Sequence, residues 1–167
     1  MDTPFYQVDV FSNKLFGGNP LAVFLKGENF KEDQLQQVAR EMNLSETTFV
    51  FPPSHPDANF DVRIFTPGKE IPFAGHPTLG TAYVVAETQG LSDKVVLEMG
   101  IGDISVTLDR SNQGLKLEMT QQDPQFGPVI KDRALVAQAI GRSENDLAPT
   151  LPVQIVNTGL PFVIVPL

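Results

Sequence analysis

Hydrophobic and polar positions alternate along several short segments of the chain, as they do in strands that bury one face. Residues 5–11 and 60–64 show this alternation, residues 21–25 form a continuous apolar run, and residues 47–51 are rich in β-branched and aromatic types. These segments predict strands. The same reasoning predicts further strands at 95–99, 104–108, 115–119 and, interrupted at 158–161, at 153–167.

Three other segments have helical patterns. Apolar residues recur every three or four positions over 31–42, which predicts an amphipathic helix that ends at Asn43. Residues 79–87 are apolar on nearly all sides, a pattern typical of a buried helix, and Gly90 is a suitable end for it. A third, shorter helix is predicted at 133–140.

The composition changes at residues 121–128, where Gln, Pro and Gly are frequent. This segment is predicted to be a linker. We therefore expect an N-terminal domain at 1–122 and the beginning of a second, incomplete domain at 123–167, whose last apolar run reaches Leu167.

Charge and composition narrow the classes of function. The net charge is −8, which disfavours binding to nucleic acid phosphates, although a helix N-terminus can still hold a small anion. The absence of cysteine excludes disulfides and thiolate catalysis, and the two histidines, His55 and His76, lack the spacing of metal ligands. Neither a spanning apolar run nor a signal peptide is visible, so we expect a cytoplasmic protein with no membrane partner.

The turn before the predicted buried helix carries candidate chemistry. Gly75, His76, Pro77 and Thr78 combine an imidazole, a hydroxyl and backbone N–H groups at a helix N-terminus, where an anion is favoured. Pro77 suits the first helical position, which predicts that His76 is the N-cap. His76 is then either an acid/base group or a residue that only caps the helix.

A second segment offers a carboxylate. Glu46 is the single carboxylate in residues 45–51 and comes directly before a predicted strand, where partial desolvation would raise its proton affinity. The alternative is that Ser45 and Glu46 merely end the preceding helix and face water. Asn19 lies in a Gly-Gly-Asn-Pro segment that is either a binding loop or only a turn.

Five segments, taken in order, resemble one known family. They are 16–23 (FGGNPLAV), 42–50 (MNLSETTFV), 63–67 (RIFTP), 70–82 (EIPFAGHPTLGTA) and 157–162 (NTGLPF). Together they resemble the PhzF phenazine-biosynthesis family of isomerases, and the resemblance covers essentially the whole chain.

The resemblance implies an α+β fold of the diaminopimelate epimerase type, in which a curved, mostly antiparallel sheet wraps around a central buried helix. Two such domains enclose an active-site cleft, so residues 123–167 would begin the second. The implied function is a cofactor-independent isomerase or epimerase that moves a proton on a small carboxylic acid. Metal, nicotinamide and pyridoxal phosphate are not needed, and a homodimer is expected.

The resemblance also assigns residues. Glu46 and His76 would be catalytic, with Glu46 as the acid/base that takes a proton from carbon. Substrate contacts are expected from Asn19, Ser45, Gly75, Pro77 and Thr78. The second-domain motif that supplies an aspartate in this family is not found in the 167 residues. Two alternatives therefore remain, a non-catalytic binding protein on the same scaffold and an inactive, shortened fragment.

Overall fold

The computed structural model describes residues 3–111 and 114–167, and the chain forms two compact units that divide between Thr120 and Gln121. In the described part of the first unit, the strands are β1 Phe5–Val10, β2 Asn19–Phe24, β3 Glu46–Phe51, β4 Phe60–Phe65, β5 Glu70–Ile71, β6 Lys94–Met99, β7 Gly102–Ser111 and β8 Gly114–Met119. Its α-helices are α1 Glu32–Met42 and α2 Gly75–Gln89, and a short 3₁₀ helix spans Gly27–Asn29.

The strands of the first unit form one sheet in the order β1-β2-β3-β4-β6-β7-β8, with β5 paired to β4. The β2–β3 and β4–β6 pairs are parallel and the other pairs are antiparallel. Strands at both ends of this order, β1 and β8, contact the same helix, α2. The sheet is therefore curved around α2, which confirms the predicted α+β fold with a mostly antiparallel sheet around a central helix.

Helix α2 is buried, as its apolar pattern predicts. Nine of its residues are buried, and its end at Gly90 has the left-handed conformation with φ of 70°. The helix approaches the sheet closely at Gly80, where a Cβ atom would lie 2.6 Å from Leu21 Cδ2 and 2.8 Å from Val10 Cγ2. A residue without a side chain at this position lets the helix lie directly on β1 and β2.

The two helices of the first unit cover opposite faces of the sheet. Successive side chains of a strand point to opposite faces, and in β3 the Thr48 hydroxyl lies 2.8 Å from the Thr81 hydroxyl of α2. The next residue, Phe49, packs in a cluster that includes Leu35 and Ala39 of α1. Helix α1 ends at Asn43 with φ of 51°, in agreement with the prediction.

The second unit contains a three-stranded antiparallel sheet in the order β11-β10-β9, a helix and a short 3₁₀ helix at Glu144–Asp146. The elements are β9 Gln125–Val129, α3 Arg133–Ala139, β10 Gln154–Asn157 and β11 Pro161–Ile164. Asp132 accepts a hydrogen bond from the Leu135 N–H at 3.0 Å, and this cap begins α3, which lies within the helix predicted at 133–140.

The predicted linker at 121–128 is wrong in its second half, because β9 begins at Gln125. Pro128 lacks an N–H and Gly127 has no side chain to pack, so both favour a loop when only the sequence is considered. Among the described strands, β9 lies at the edge of its sheet, where a proline costs little because one side of the strand has no partner there.

Candidate active site

Glu46 and His76 meet inside the first unit. Glu46 begins β3 and His76 is the second residue of α2, and the Glu46 Oε2 and His76 Nε2 atoms are 3.4 Å apart. The Glu46 side chain is 18% exposed and that of His76 is 8% exposed. Both atoms are buried, and neither has a hydrogen-bond partner among the described residues. The pair is thus within ion-pair distance without the alignment of a hydrogen bond.

The other nitrogen of the imidazole is held by strand β2. His76 Nδ1 lies 3.3 Å from Asn19 Nδ2, and Asn19 Oδ1 accepts a hydrogen bond from Ser45 Oγ at 3.0 Å. The parallel pairing of β2 with β3, which places Leu21 opposite Glu46, brings these residues together. Four polar side chains therefore form one continuous row, in the order Ser45, Asn19, His76 and Glu46.

Burial sets the protonation state of His76. Desolvation lowers the pKa of the imidazole below its ordinary value of 6.5, and this effect exceeds the opposing influences of the Glu46 carboxylate and the Pro20 carbonyl. The imidazole is therefore neutral near neutral pH. A neutral ring carries one N–H donor and one acceptor nitrogen.

The first turn of α2 supplies backbone donors. The helix begins at Gly75 after Ala74, which is extended and provides no side-chain cap, and no acidic residue lies in the first turn. The prediction that His76 caps this helix is therefore wrong. The first N–H groups of an α-helix have no partner within the helix and carry partial positive charge, so the helix start beside Glu46 favours an anion.

The other predicted contact residues differ in accessibility. Gly75 is partly exposed, whereas Pro77 and Thr78 are buried. The Thr78 hydroxyl donates to the Ala74 carbonyl at 2.8 Å, and Pro77 has no N–H to donate. The geometry therefore brings Ser45 and Asn19 together with the Glu46–His76 pair, and Gly75 precedes His76 at the start of α2. The Thr78 hydroxyl instead bonds the backbone of its own helix.

One aromatic residue near the pair was missed by sequence reasoning. The Phe11 ring centroid is 6.4 Å from that of His76, the side chain is 74% exposed, and its φ is 67°. A bulky residue in the left-handed region is uncommon. The sequence signal is weak, because Phe11 reads as the last residue of the preceding strand.

The chemistry does not coincide with the cleft beside β1. A cleft of about 920 Å³ lies between β1, α2 and β8, and its lining includes Gln7, Tyr83 and Lys116 but neither Glu46 nor His76. It is a gap between the two edge strands of the curved sheet. Within the described residues, no group of three or more His, Asp or Glu side chains could hold a metal ion, and no helix is both long and apolar enough to cross a bilayer.

Lowering the pH should destabilise the fold, because the imidazole of His76 is buried. Because the folded-state pKa of His76 is lowered, the unfolded chain binds more protons just below pH 6.5. Stability is thus fully present above that pH and falls as the pH decreases toward the folded-state pKa. We expect the free energy of unfolding to drop between about pH 7.5 and about pH 5.5, and the contribution of one such group over this window is at most about 1.4 kcal/mol. Urea unfolding at the two pH values measures this drop.

Two variants separate His76 from the other titrating groups. His76→Asn should reduce the drop, since it removes the buried imidazole. His55→Asn is the matched control, because His55 is the only other histidine and its imidazole is 36% exposed. An equal loss of stability in the wild type and in His76→Asn would contradict the interpretation.

Comparison with known proteins finds similar sequences along nearly the whole chain. Residues 8–167 match the family model described as phenazine biosynthesis-like protein. The chain is 34% identical over 165 residues to an uncharacterized isomerase of Escherichia coli (strain K12), covering 97% of the chain and 55% of that protein. It is 38% identical over 154 residues to the trans-2,3-dihydro-3-hydroxyanthranilate isomerase of Pseudomonas fluorescens, covering 91% of the chain and 52% of that enzyme.

Solved structures of similar proteins superpose on nearly the whole chain. A predicted epimerase from Pseudomonas aeruginosa superposes with a TM-score of 0.89 at 32% identity, covering 99% of this chain and 59% of that one. A PhzF-family phenazine biosynthesis protein from Bacillus anthracis gives a TM-score of 0.82 at 32% identity and covers 99% and 56%, respectively. The chain thus spans little more than half the length of the proteins it matches.

Proposed function

Because the chain belongs to the phenazine biosynthesis-like family, we propose that the protein is an isomerase that moves a proton between two positions of a small carboxylic acid. The relatives are nearly twice as long, so this activity is proposed for the complete gene product, and the experiments below use that product. Residues 123–167 would begin a second domain of the same type.

One observation carries the proposal. A carboxylate oxygen and an imidazole nitrogen, both buried and both without a hydrogen bond to any described residue, lie 3.4 Å apart beside a helix N-terminus that has no side-chain cap. Buried polar groups are normally paired, and unpaired ones cluster where a ligand or a reaction uses them. The arrangement offers a base, a neutral N–H donor and a site for negative charge within one small region.

The proposed step balances as a proton shift. Glu46 takes a proton from a carbon next to an unsaturated group, so that a C–H bond breaks and an O–H bond forms on the carboxylate. The electron pair moves into the unsaturated group of the substrate. Developing negative charge there would be stabilised by the start of α2. Glu46 then returns the proton to a different carbon and becomes a carboxylate again.

The relatives suggest where to search for the substrate. The Pseudomonas fluorescens relative is named for its action on a hydroxylated dihydroanthranilate, which is a small cyclic amino acid with a carboxylate. We propose the same broad class here, a small carboxylic acid that carries an acidic C–H next to unsaturation. The exposed Phe11 ring, 6.4 Å from that of His76, is suited to contact such a substrate.

A screen in D₂O tests the reaction class. The complete gene product is incubated with a panel of small unsaturated and cyclic carboxylic acids, and ¹H NMR follows the loss of individual C–H signals. We expect at least one acid to exchange a carbon-bound proton only when the enzyme is present. Binding of acids without any exchange across the panel would contradict the proposal and favour a binding protein on the same scaffold.

A further inference from the structure

Both the oxygen and the nitrogen of the Asn19 side-chain amide contact other side chains next to Glu46, the candidate base. Its Oδ1 accepts from Ser45 Oγ at 3.0 Å, and its Nδ2 lies 3.3 Å from His76 Nδ1. A side chain that only lined a binding pocket would present these groups to the substrate. Here they join a residue of the loop before β3 to the imidazole at the start of α2.

The Glu46 carboxylate determines which nitrogen of His76 carries the proton. An ionised carboxylate only accepts hydrogen bonds, and its Oε2 faces His76 Nε2 at 3.4 Å. A lone pair on Nε2 would be repelled by that oxygen, so the neutral ring holds its proton on Nε2. Nδ1 then carries the lone pair, which must face a donor.

The amide of Asn19 meets this requirement in one orientation. With Nδ2 toward the imidazole, the amide donates to Nδ1 and its oxygen is left to accept from the Ser45 hydroxyl. The opposite orientation would place the amide oxygen against the Nδ1 lone pair. Each donor in the row from Ser45 to Glu46 therefore faces an acceptor.

We propose that Asn19, oriented by Ser45, is a positioning residue that keeps His76 in the Nε2–H form and stops it from taking the proton that Glu46 carries. A protonated imidazole would need an N–H at Nδ1, which would point at the N–H₂ group of Asn19, and the nearby Pro20 carbonyl raises the pKa of His76 by less than burial lowers it. The proton collected by Glu46 thus stays on the carboxylate and returns to the substrate. The catalytic part of this inference depends on the proposed function, whereas the position of the ring proton does not.

NMR of the wild type tests the proton position without any assay of activity. The complete gene product is labelled with ¹⁵N in its histidines, and the signals that disappear in His76→Asn are those of His76. We expect a pyridine-type shift for His76 Nδ1 and a pyrrole-type shift for Nε2 near neutral pH. A protonated Nδ1 with an unprotonated Nε2 would overturn the inference.

Asn19→Asp tests the role of the amide. A carboxylate at this position would accept from an Nδ1–H, so the proton affinity of His76 should rise by about 10- to 1000-fold, as is typical of a neighbouring opposite charge. Glu46 is the charged group that acts on this ring among the described residues. Asn13→Asp is the matched control, because it adds the same charge at an exposed position of the loop before β2.

The outcomes separate the inference from the proposed function. A rise of the His76 pKa in Asn19→Asp but not in Asn13→Asp supports the inference, even if no substrate is found. Equal shifts in both variants would overturn it. If Asn19→Asp does not fold, the ¹⁵N shifts of His76 in the wild type test the inference by themselves. With a substrate in hand, Asn19→Asp should also lose more of the transferred proton to solvent than Asn13→Asp does.

Discussion

Glu46→Gln should lose nearly all proton transfer in the complete gene product. An amide cannot accept a proton from carbon, and removing a general base lowers the rate by about 10²- to 10⁴-fold. Gln has nearly the same size as Glu, so the packing around residue 46 should survive. The kcat for isomerisation and the rate of C–H exchange in D₂O, followed by NMR, measure the loss.

Glu41→Gln is the matched control for this prediction. Glu41 lies exposed in the last turn of α1, and the same change there removes one negative charge without touching the Glu46–His76 pair. The control should keep the wild-type rate. Wild-type exchange by Glu46→Gln, or an equal loss in both variants, would exclude Glu46 as the base.

Phe49→Ala should produce the largest loss of stability. Phe49 is fully buried and its ring lies 5.2 to 5.5 Å from those of Phe24, Phe30 and Phe65. Truncation removes these contacts and leaves a cavity under α1, which typically costs about 3–5 kcal/mol. A typical domain has only about 5–15 kcal/mol of stability, so the variant should be marginal at best.

Urea unfolding followed by far-UV circular dichroism measures this effect, since the 167 residues contain no tryptophan. Phe16→Ala is the matched control, because its side chain is 94% exposed. We expect the control to remain within about 0.5 kcal/mol of the wild type. A Phe49→Ala variant as stable as Phe16→Ala would contradict the view that this aromatic cluster holds α1 on the sheet.

Local patterns in the sequence predict the elements of this fold well. The apolar composition of residues 79–87 is enough to identify α2 as buried, because a helix without a polar face has no stable surface position. Asn43 and Gly90 mark helix ends because both positions need a left-handed conformation that most residues avoid. Such features depend on neighbours in the sequence and can be predicted from it.

Other features depend on context that the sequence does not display. A proline fits anywhere in the first turn of a helix, because the N–H groups of that turn have no partner within the helix. Pro77 therefore indicates that a helix begins nearby, but not at which residue. This is why His76 was predicted to be the cap, although the helix begins at Gly75. Pro128 was assigned to a linker because nothing local shows that its strand lies at a sheet edge.

The candidate site also has some features that the sequence predicts and others that it does not. Their chemistry and the family resemblance point to Glu46 and His76, but the two lie 30 positions apart and no spacing rule predicts their 3.4 Å approach. The contact of Asn19 with His76 arises only when β2 pairs parallel with β3. Strand pairing is a long-range property, so the role of Asn19 could not be predicted from residues near it.

Label transfer from a deuterated substrate tests the central claim most directly. A substrate found in the D₂O screen is deuterated at the carbon that loses its proton and is converted in H₂O by the complete gene product. We predict that the deuterium leaves this carbon and that part of it appears at the new carbon of the product, since Glu46 is shielded from solvent. Product that keeps all of its deuterium at the original carbon would show that no C–H bond is broken there, and would contradict the assignment of Glu46 as a base that moves a proton between carbons.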